Sequence, residues 1–115
     1  MTRSRKSAKQ AGTAWESAIV ATLIDKGWIH AERRRLNGSH DKGDIAGIPG
    51  LVIEAKTTNR LELAAAVDEA ETEKANANAA HGVAWIHRKG KASPMDGYVV
   101  MSGAGFLALL KEAGY

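Results

Sequence analysis

The stretch DKGDIAGIPGLVIEAK, residues Asp41 to Lys56, decides how the chain is read. Two short apolar runs, DIAGI and LVIEAK, flank Pro49 and Gly50, the composition of a β-hairpin. With Ile48, Pro49 and Gly50 as a three-residue loop whose last residue is left-handed, residue 47 pairs with 51 and Asp44 stands opposite Glu54. Side chains alternate along a strand, so Glu54 and Lys56 share one face while Ile53 and Ala55 point to the other. Two carboxylates and an ammonium therefore converge on one patch of a hairpin that is otherwise apolar. A two-residue turn would shift the register by one and disperse them.

Outward from the hairpin, helical and strand patterns alternate. AGTAWESAIVATLID, residues 11–25, is apolar at helical spacing and has a stop signal at Gly27. WIHAERRRL reads as a strand that grows charged toward its end, and NGSHDKG as a loop of turn formers. An alanine-rich and glutamate-rich second helix is expected from about Leu61 to Ala80. GVAWIHRK and GYVVM are strands around the loop GKASPMD, and AGFLALLKEA is a closing helix. The order α-β-β-β-α-β predicts an α/β domain with a mixed central sheet flanked by helices. It occupies residues 11–115, after a basic, flexible N-terminal arm over residues 1–10.

At 115 residues, 44% of them hydrophobic, the chain suffices for one domain with a real core. There is no cysteine, so disulfides and thiolate ligands are excluded, and any metal is held by oxygen or histidine. That favours a hard ion such as Mg²⁺ over structural zinc. MTRSRKSAKQ lacks the apolar segment of a signal peptide and no later run is long enough to cross a membrane, so a soluble, cytoplasmic protein is expected. The formal net charge is only +3, but cations cluster in RSRKSAK, RRR and HRKGK. Such clusters are how a phosphate-binding surface would look, although ordinary solvated charge explains them more often.

A third carboxylate comes from the first helix. With Glu16 at zero and steps of about 100°, Val20 falls at about 40°, Leu23 at about 340°, Ile19 at about 300°, Ile24 at about 80° and Trp15 at about 260°. Glu16 thus lies in the middle of the apolar arc, where an unpaired carboxylate costs several kcal/mol. It must meet a metal, hydrogen-bond donors or a cation; an ion pair with an arginine of RRR and a catalytic role stand equal. On the second helix Lys74 falls with Leu63, Val67 and Ala70, facing inward, either toward a phosphate or as a snorkelling lysine. Arg33 and Arg35 share one strand face, with Arg34 on the other, and phosphate contact is preferred for some of them. His40 and Lys42 neighbour the site in sequence, and Asp41 is an outer ligand or a turn former. His30, His81 and His87 lack metal-ligand spacing, and Trp15, Trp28 and Trp85 lie in apolar segments suited to core or interface.

Asp44, nine residues, Glu54, one residue and Lys56 together resemble the bipartite signature of the PD-(D/E)XK nuclease superfamily, and the predicted element order resembles its restriction-endonuclease-like core. Gly43 stands where the motif's name has proline. RRRLNGSHDKGDIAGIPGLVIEAK, VDEAETEKANANA, GVAWIHRKGK and DGYVVMSGAGFLALL are similar to phage-type Holliday junction resolvases of that superfamily, found in viruses of actinobacteria. The resemblance implies metal ligation by Asp44, Glu54, the Ala55 backbone carbonyl and Glu16, with Lys56 positioning water or stabilising charge. It implies Mg²⁺, with Mn²⁺ able to substitute, and hydrolysis leaving a 5′-phosphate and a 3′-hydroxyl. A four-way DNA junction is the implied partner, and a homodimer matches its two symmetric strands. Ser39 occupies a place comparable to a functional serine of archaeal-type resolvases. The weaker DNA-binding set is Arg33, Arg35, Ser39, His40, Lys42 and Lys74. FLALL, apolar nearly all round, fits a dimer contact or core burial. The alternatives are a same-fold nuclease acting on flaps, nicks or ends, and a noncatalytic nucleic-acid-binding subunit.

Overall fold

The computed structural model describes residues 4–34, 43–57 and 62–115. Ile45 is partnered with Ile53, but Leu51 N donates to Ile48 O at 3.2 Å, so Pro49 and Gly50 make a two-residue turn rather than the expected three-residue loop. Gly50 takes φ +80, the left-handed conformation that the third position of such a turn needs.

Five strands form one mixed sheet in sequence order: β1 (Glu32–Arg33), β2 (Ile45–Ala46), β3 (Leu51–Lys56), β4 (His81–Ile86) and β5 (Tyr98–Val100). Only β3 and β4 are parallel, which demands a crossover, and α2 (Leu63–Asn76) provides it. With α1 (Arg5–Asp25) and α3 (Gly103–Glu112), the α/β architecture and the order α-β-β-β-α-β are those expected.

The sheet's two faces differ in character. Ile45, Ile53 and Val83 pack on the stripe Trp15, Ile19 and Leu23 of α1, a core of large aliphatic and aromatic groups. Ala84 and Ile86 of β4 meet Ala66 of α2 on the other face, where the contacting side chains are small. A Cβ on Gly82 would lie 2.8 Å from the Ala70 carbonyl oxygen, so only glycine lets α2 come this near.

Two boundaries depart from the sequence reading. The first helix starts at Arg5 rather than Ala11, so most of the expected flexible arm is helical. Ser4 caps it by accepting from Ser7 N at 3.1 Å, and the intervening Arg, Lys, Ala and Gln are good helix formers. The first strand is only Glu32–Arg33, because Trp28 N is bonded back to Leu23 O and Ala31 N to Trp28 O. These turns consume backbone groups a longer strand would need, and they leave Trp28 and Ile29 exposed.

Gly82→Ala should destabilise by ~1–3 kcal/mol through overpacking against α2. Gly103→Ala, where an added methyl meets nothing within 4 Å, should be neutral or stabilising by ~0.5 kcal/mol. Chemical denaturation of the two variants beside the parent checks both signs.

Candidate metal centre

Asp44 is held by backbone bonds on both sides, and it meets Ile53, the residue that also partners Ile45, so the ladder is out of step by one there. Asp44 N donates to Ile53 O at 2.9 Å and Arg34 N donates to Asp44 O at 2.8 Å. Its carboxylate turns back on the same hairpin, where Asp44 Oδ2 accepts from Ala55 N at 2.8 Å. Asp44 thereby fixes the backbone between Glu54 and Lys56.

Glu54 points to the α2 face and is only 7% exposed. Lys56 lies beside it, Nζ 3.5 Å from Glu54 Oε1, and makes a shorter pair with Glu69 Oε2 at 2.6 Å. Glu69 belongs to α2, and so does Glu73, which is 3% exposed. Oxygens of Glu54, Glu69 and Glu73 all lie within 4.8 Å of one another, a spacing at which one cation could be shared. No significant match to the chain was found among family models, curated proteins or solved structures.

The electrostatics of the cluster are unfavourable without a cation. Burial, a side-chain hydrogen bond with Glu73, and the charges of Asp44 and Glu73 push the Glu54 carboxyl up to about 10, against a small opposing pull from Lys56. Glu54 Oε2 is buried and has no hydrogen-bond partner. For Lys56, partial burial pulls its pKa down, but the hydrogen bond to Glu69 and the charges of Glu54 and Glu69 outweigh it and leave it raised. An orphaned, buried carboxylate oxygen among hard oxygen donors fits a divalent ion such as Mg²⁺.

The other expected residues are distributed as follows. Glu16 is not one of the three clustered acids; it accepts from Arg33 Nε at 3.1 Å, the arginine pairing left open by the sequence. The buried stripe of α1 runs through Trp15, Ile19 and Leu23, with Ile24 exposed, so Glu16 lies at the edge of the apolar arc rather than its middle. Lys74 turns to Glu71 at 2.7 Å, and Glu71 also accepts from Ser102, the N-cap of α3. Arg35, Ser39, His40, Asp41 and Lys42 lie outside the described residues.

Glu69 and Glu73 were not singled out from sequence. The signal was available: Ala66, Ala70 and Glu73 are spaced i, i+4, i+7, and two alanines in line mark the side that lies against a sheet. Gly43 is explained too. Its φ is +96, closed to proline, and a Cβ there would stand 2.8 Å from Val52 Cγ1 and 3.6 Å from Glu73 Oε2.

Glu54→Gln should raise the melting temperature of the metal-free protein by several degrees, since ~1 kcal/mol corresponds to ~4–8 °C in a domain of this size. The native state keeps a proton on Glu54 that the unfolded chain releases near its ordinary value of 4.5. Wild-type stability in EDTA should therefore fall as pH rises from about 6 to about 9, and its deficit relative to Glu54→Gln should widen. Added Mg²⁺ should stabilise wild type and leave the variant unchanged. Scanning calorimetry across pH, with and without the ion, reads all three.

Proposed function

We propose that the protein is a metal-dependent DNA endonuclease of the PD-(D/E)XK kind that hydrolyses phosphodiesters in branched DNA, with Holliday junction resolution as its activity. One observation carries the reading: a buried, electrostatically strained Glu54 stands close to Asp44 and two residues from Lys56 on a single hairpin. Strain of this kind is kept where a ligand relieves it. The element order and the mixed sheet support the same assignment.

Glu54 and Asp44, with Glu73 and Glu69 from α2, would hold Mg²⁺ or Mn²⁺, together with the Ala55 carbonyl. A divalent ion supplies neutralisation of phosphate charge and acidification of water. Asp44 holds the Glu54–Ala55 peptide through its bond to Ala55 N, one peptide before the Ala55 carbonyl. Lys56, with its raised pKa, remains an ammonium at neutral pH and, on exchanging Glu69 for a phosphate oxygen, stabilises the charge that builds there. In the reaction a water oxygen bonds to phosphorus and the bond from phosphorus to the 3′ oxygen breaks. The products are a 5′-phosphate and a 3′-hydroxyl, with no covalent enzyme intermediate.

The proposed assembly is a two-fold dimer. No residue of α3 is buried, and Phe106, Leu107 and Leu109 are exposed, so FLALL is not accounted for by the monomer core. Beside α3 runs an apolar groove of about 530 Å³ lined by Leu23, Ile53, Trp85, Val99 and Leu109. Phe106→Glu with Leu107→Glu should convert a dimer to a folded monomer in sedimentation velocity, and no change of mass would remove α3 from the interface.

Cleavage of a labelled four-way junction, beside a duplex, a flap and a single strand, with Mg²⁺, Mn²⁺ or EDTA, tests the activity. Paired symmetric nicks on the junction alone are expected. Equal cutting of every substrate leaves a nuclease of another preference, and tight binding without cutting under any metal leaves a noncatalytic binding subunit. Asp44→Asn, Glu54→Gln and Lys56→Ala should each lower the rate by at least ~100-fold while junction binding persists.

A further inference from the structure

The three basic clusters of the sequence are far apart along the chain, and the topology brings them toward one end of the molecule. Lys56 is in register with Ile86, and His87 N donates to Lys56 O at 2.9 Å, so the parallel strands end side by side and Arg88, Lys89 and Lys91 follow directly. α1 runs antiparallel to these strands. Its C-terminal Thr22, Leu23 and Lys26 line the groove with Ile48 to Leu51 at the start of β3, while Trp15 Nε1 donates to Trp85 O at the far end of β4. Trp15 also meets the His87 ring edge-on, with centroids 5.0 Å apart. The helix begins ten residues before Trp15, so about 15 Å of α1 overhangs the strand ends, and that overhang carries Arg5, Lys6 and Lys9. β1 runs parallel to β3, and thus Arg33 and Arg34 head the same way.

Arg5, Lys6, Lys9, Arg88, Lys89 and Lys91 are all exposed, and none pairs with an acid among the described residues. Arg88 is instead laid over the Tyr98 ring at 6.0 Å, which holds its guanidinium at the surface. Outside the carboxylate cluster the acids on the segments that reach this end are Glu16, Glu32, Glu62 and Asp96. Against them stand those cations together with Arg33 and Arg34, and Glu16 is already paired with Arg33, so cations are in excess there. The β4–β5 loop follows His87, which is bonded to Lys56, and the α1 wall reaches His87 through Trp15.

We infer that these two walls, the β4–β5 loop and the overhanging first turns of α1, form a binding surface for the phosphate backbone of a duplex arm flanking the scissile bond. The surface rests on the nuclease reading for its substrate but not for its charge. Its contacts are to phosphates, so it positions either a junction or a plain duplex without reading sequence.

The test is fluorescence anisotropy of a labelled four-way junction and a labelled duplex in EDTA over a range of salt, where no cutting can occur. It compares wild type with Arg88→Gln/Lys89→Gln/Lys91→Gln and with Arg5→Gln/Lys6→Gln/Lys9→Gln. Each triple variant should raise Kd by ~10-fold or more and reduce the slope of log K against log salt by about 2–3, with melting temperature unchanged. Unchanged Kd and slope in both variants, with wild type binding well, would overturn the surface and leave the nuclease proposal standing. Loss of binding in the variants, from a wild type that never cuts in Mg²⁺ or Mn²⁺, would support the surface and sink the nuclease. Wild type that binds anionic lipid vesicles but neither DNA would overturn both.

Discussion

The approach of α2 to the sheet governs the chemistry of this molecule. A glycine at position 82 under the Ala70 carbonyl, and alanines at 66, 70 and 84, remove the side chains that would hold the helix off. The gap closes, and Glu73 is carried down among Val52, Gly43 and Glu54. Two carboxylates are thus buried next to each other in a setting that disfavours the charged form of Glu54. Small residues bury little apolar area, so this layer contributes less to stability than its size suggests, and it also bears the desolvation of Glu54. The opposite layer offsets the deficit, with Trp15, Ile19, Leu23, Ile45 and Ile53 in one apolar cluster.

The positions of the charged groups follow from that division. Glu54 and Glu73 on the α2 face are buried, and the environment raises the Glu54 carboxyl strongly. Glu16, on the α1 side, meets Arg33 at a surface where an ion pair is worth ~0–1 kcal/mol, so it is held loosely and contributes little to stability. Asp44 lies between these cases. It is bound to the Ala55 amide and also close enough to Glu54 to raise that group's pKa, which makes it both a brace for the hairpin and a source of strain in it.

Much of this was legible in the sequence where a period of two determines the outcome. The alternation Val52, Glu54, Lys56 against Ile53, Ala55 holds whatever the turn does, but the register across the hairpin does not, because the two-residue turn and the offset at Asp44 are not written in the loop's composition. Helices were harder, because a wheel gives relative angles but not which direction faces the sheet. The apolar arc of α1 is wider than the strip the sheet covers, so Glu16 was placed at the arc's middle and is found at its edge. On α2 the larger Leu63 and Val67 drew attention to Lys74, whereas the buried side is the line of alanines that ends at Glu73. Gly43 could not be understood from the sequence either, since its left-handed φ is dictated by Val52 and Glu73, contacts distant in the chain.

Charge balance explains part of how such a cluster persists. Glu54 retains a proton and Lys56 answers Glu69 at 2.6 Å, so two of the three clustered carboxyls are neutralised, while the charges of Glu73 and Asp44 still press on Glu54. Exchanging the proton for a divalent ion would add positive charge where those two carboxylates face it. Glu69 can then release Lys56, because a half-exposed carboxylate is easily solvated. The raised pKa of Lys56 has a further consequence. A lysine that does not deprotonate near neutrality cannot serve as the base for an attacking water, so in the proposed hydrolysis its part would be electrostatic, and proton acceptance would fall to a carboxylate or to solvent.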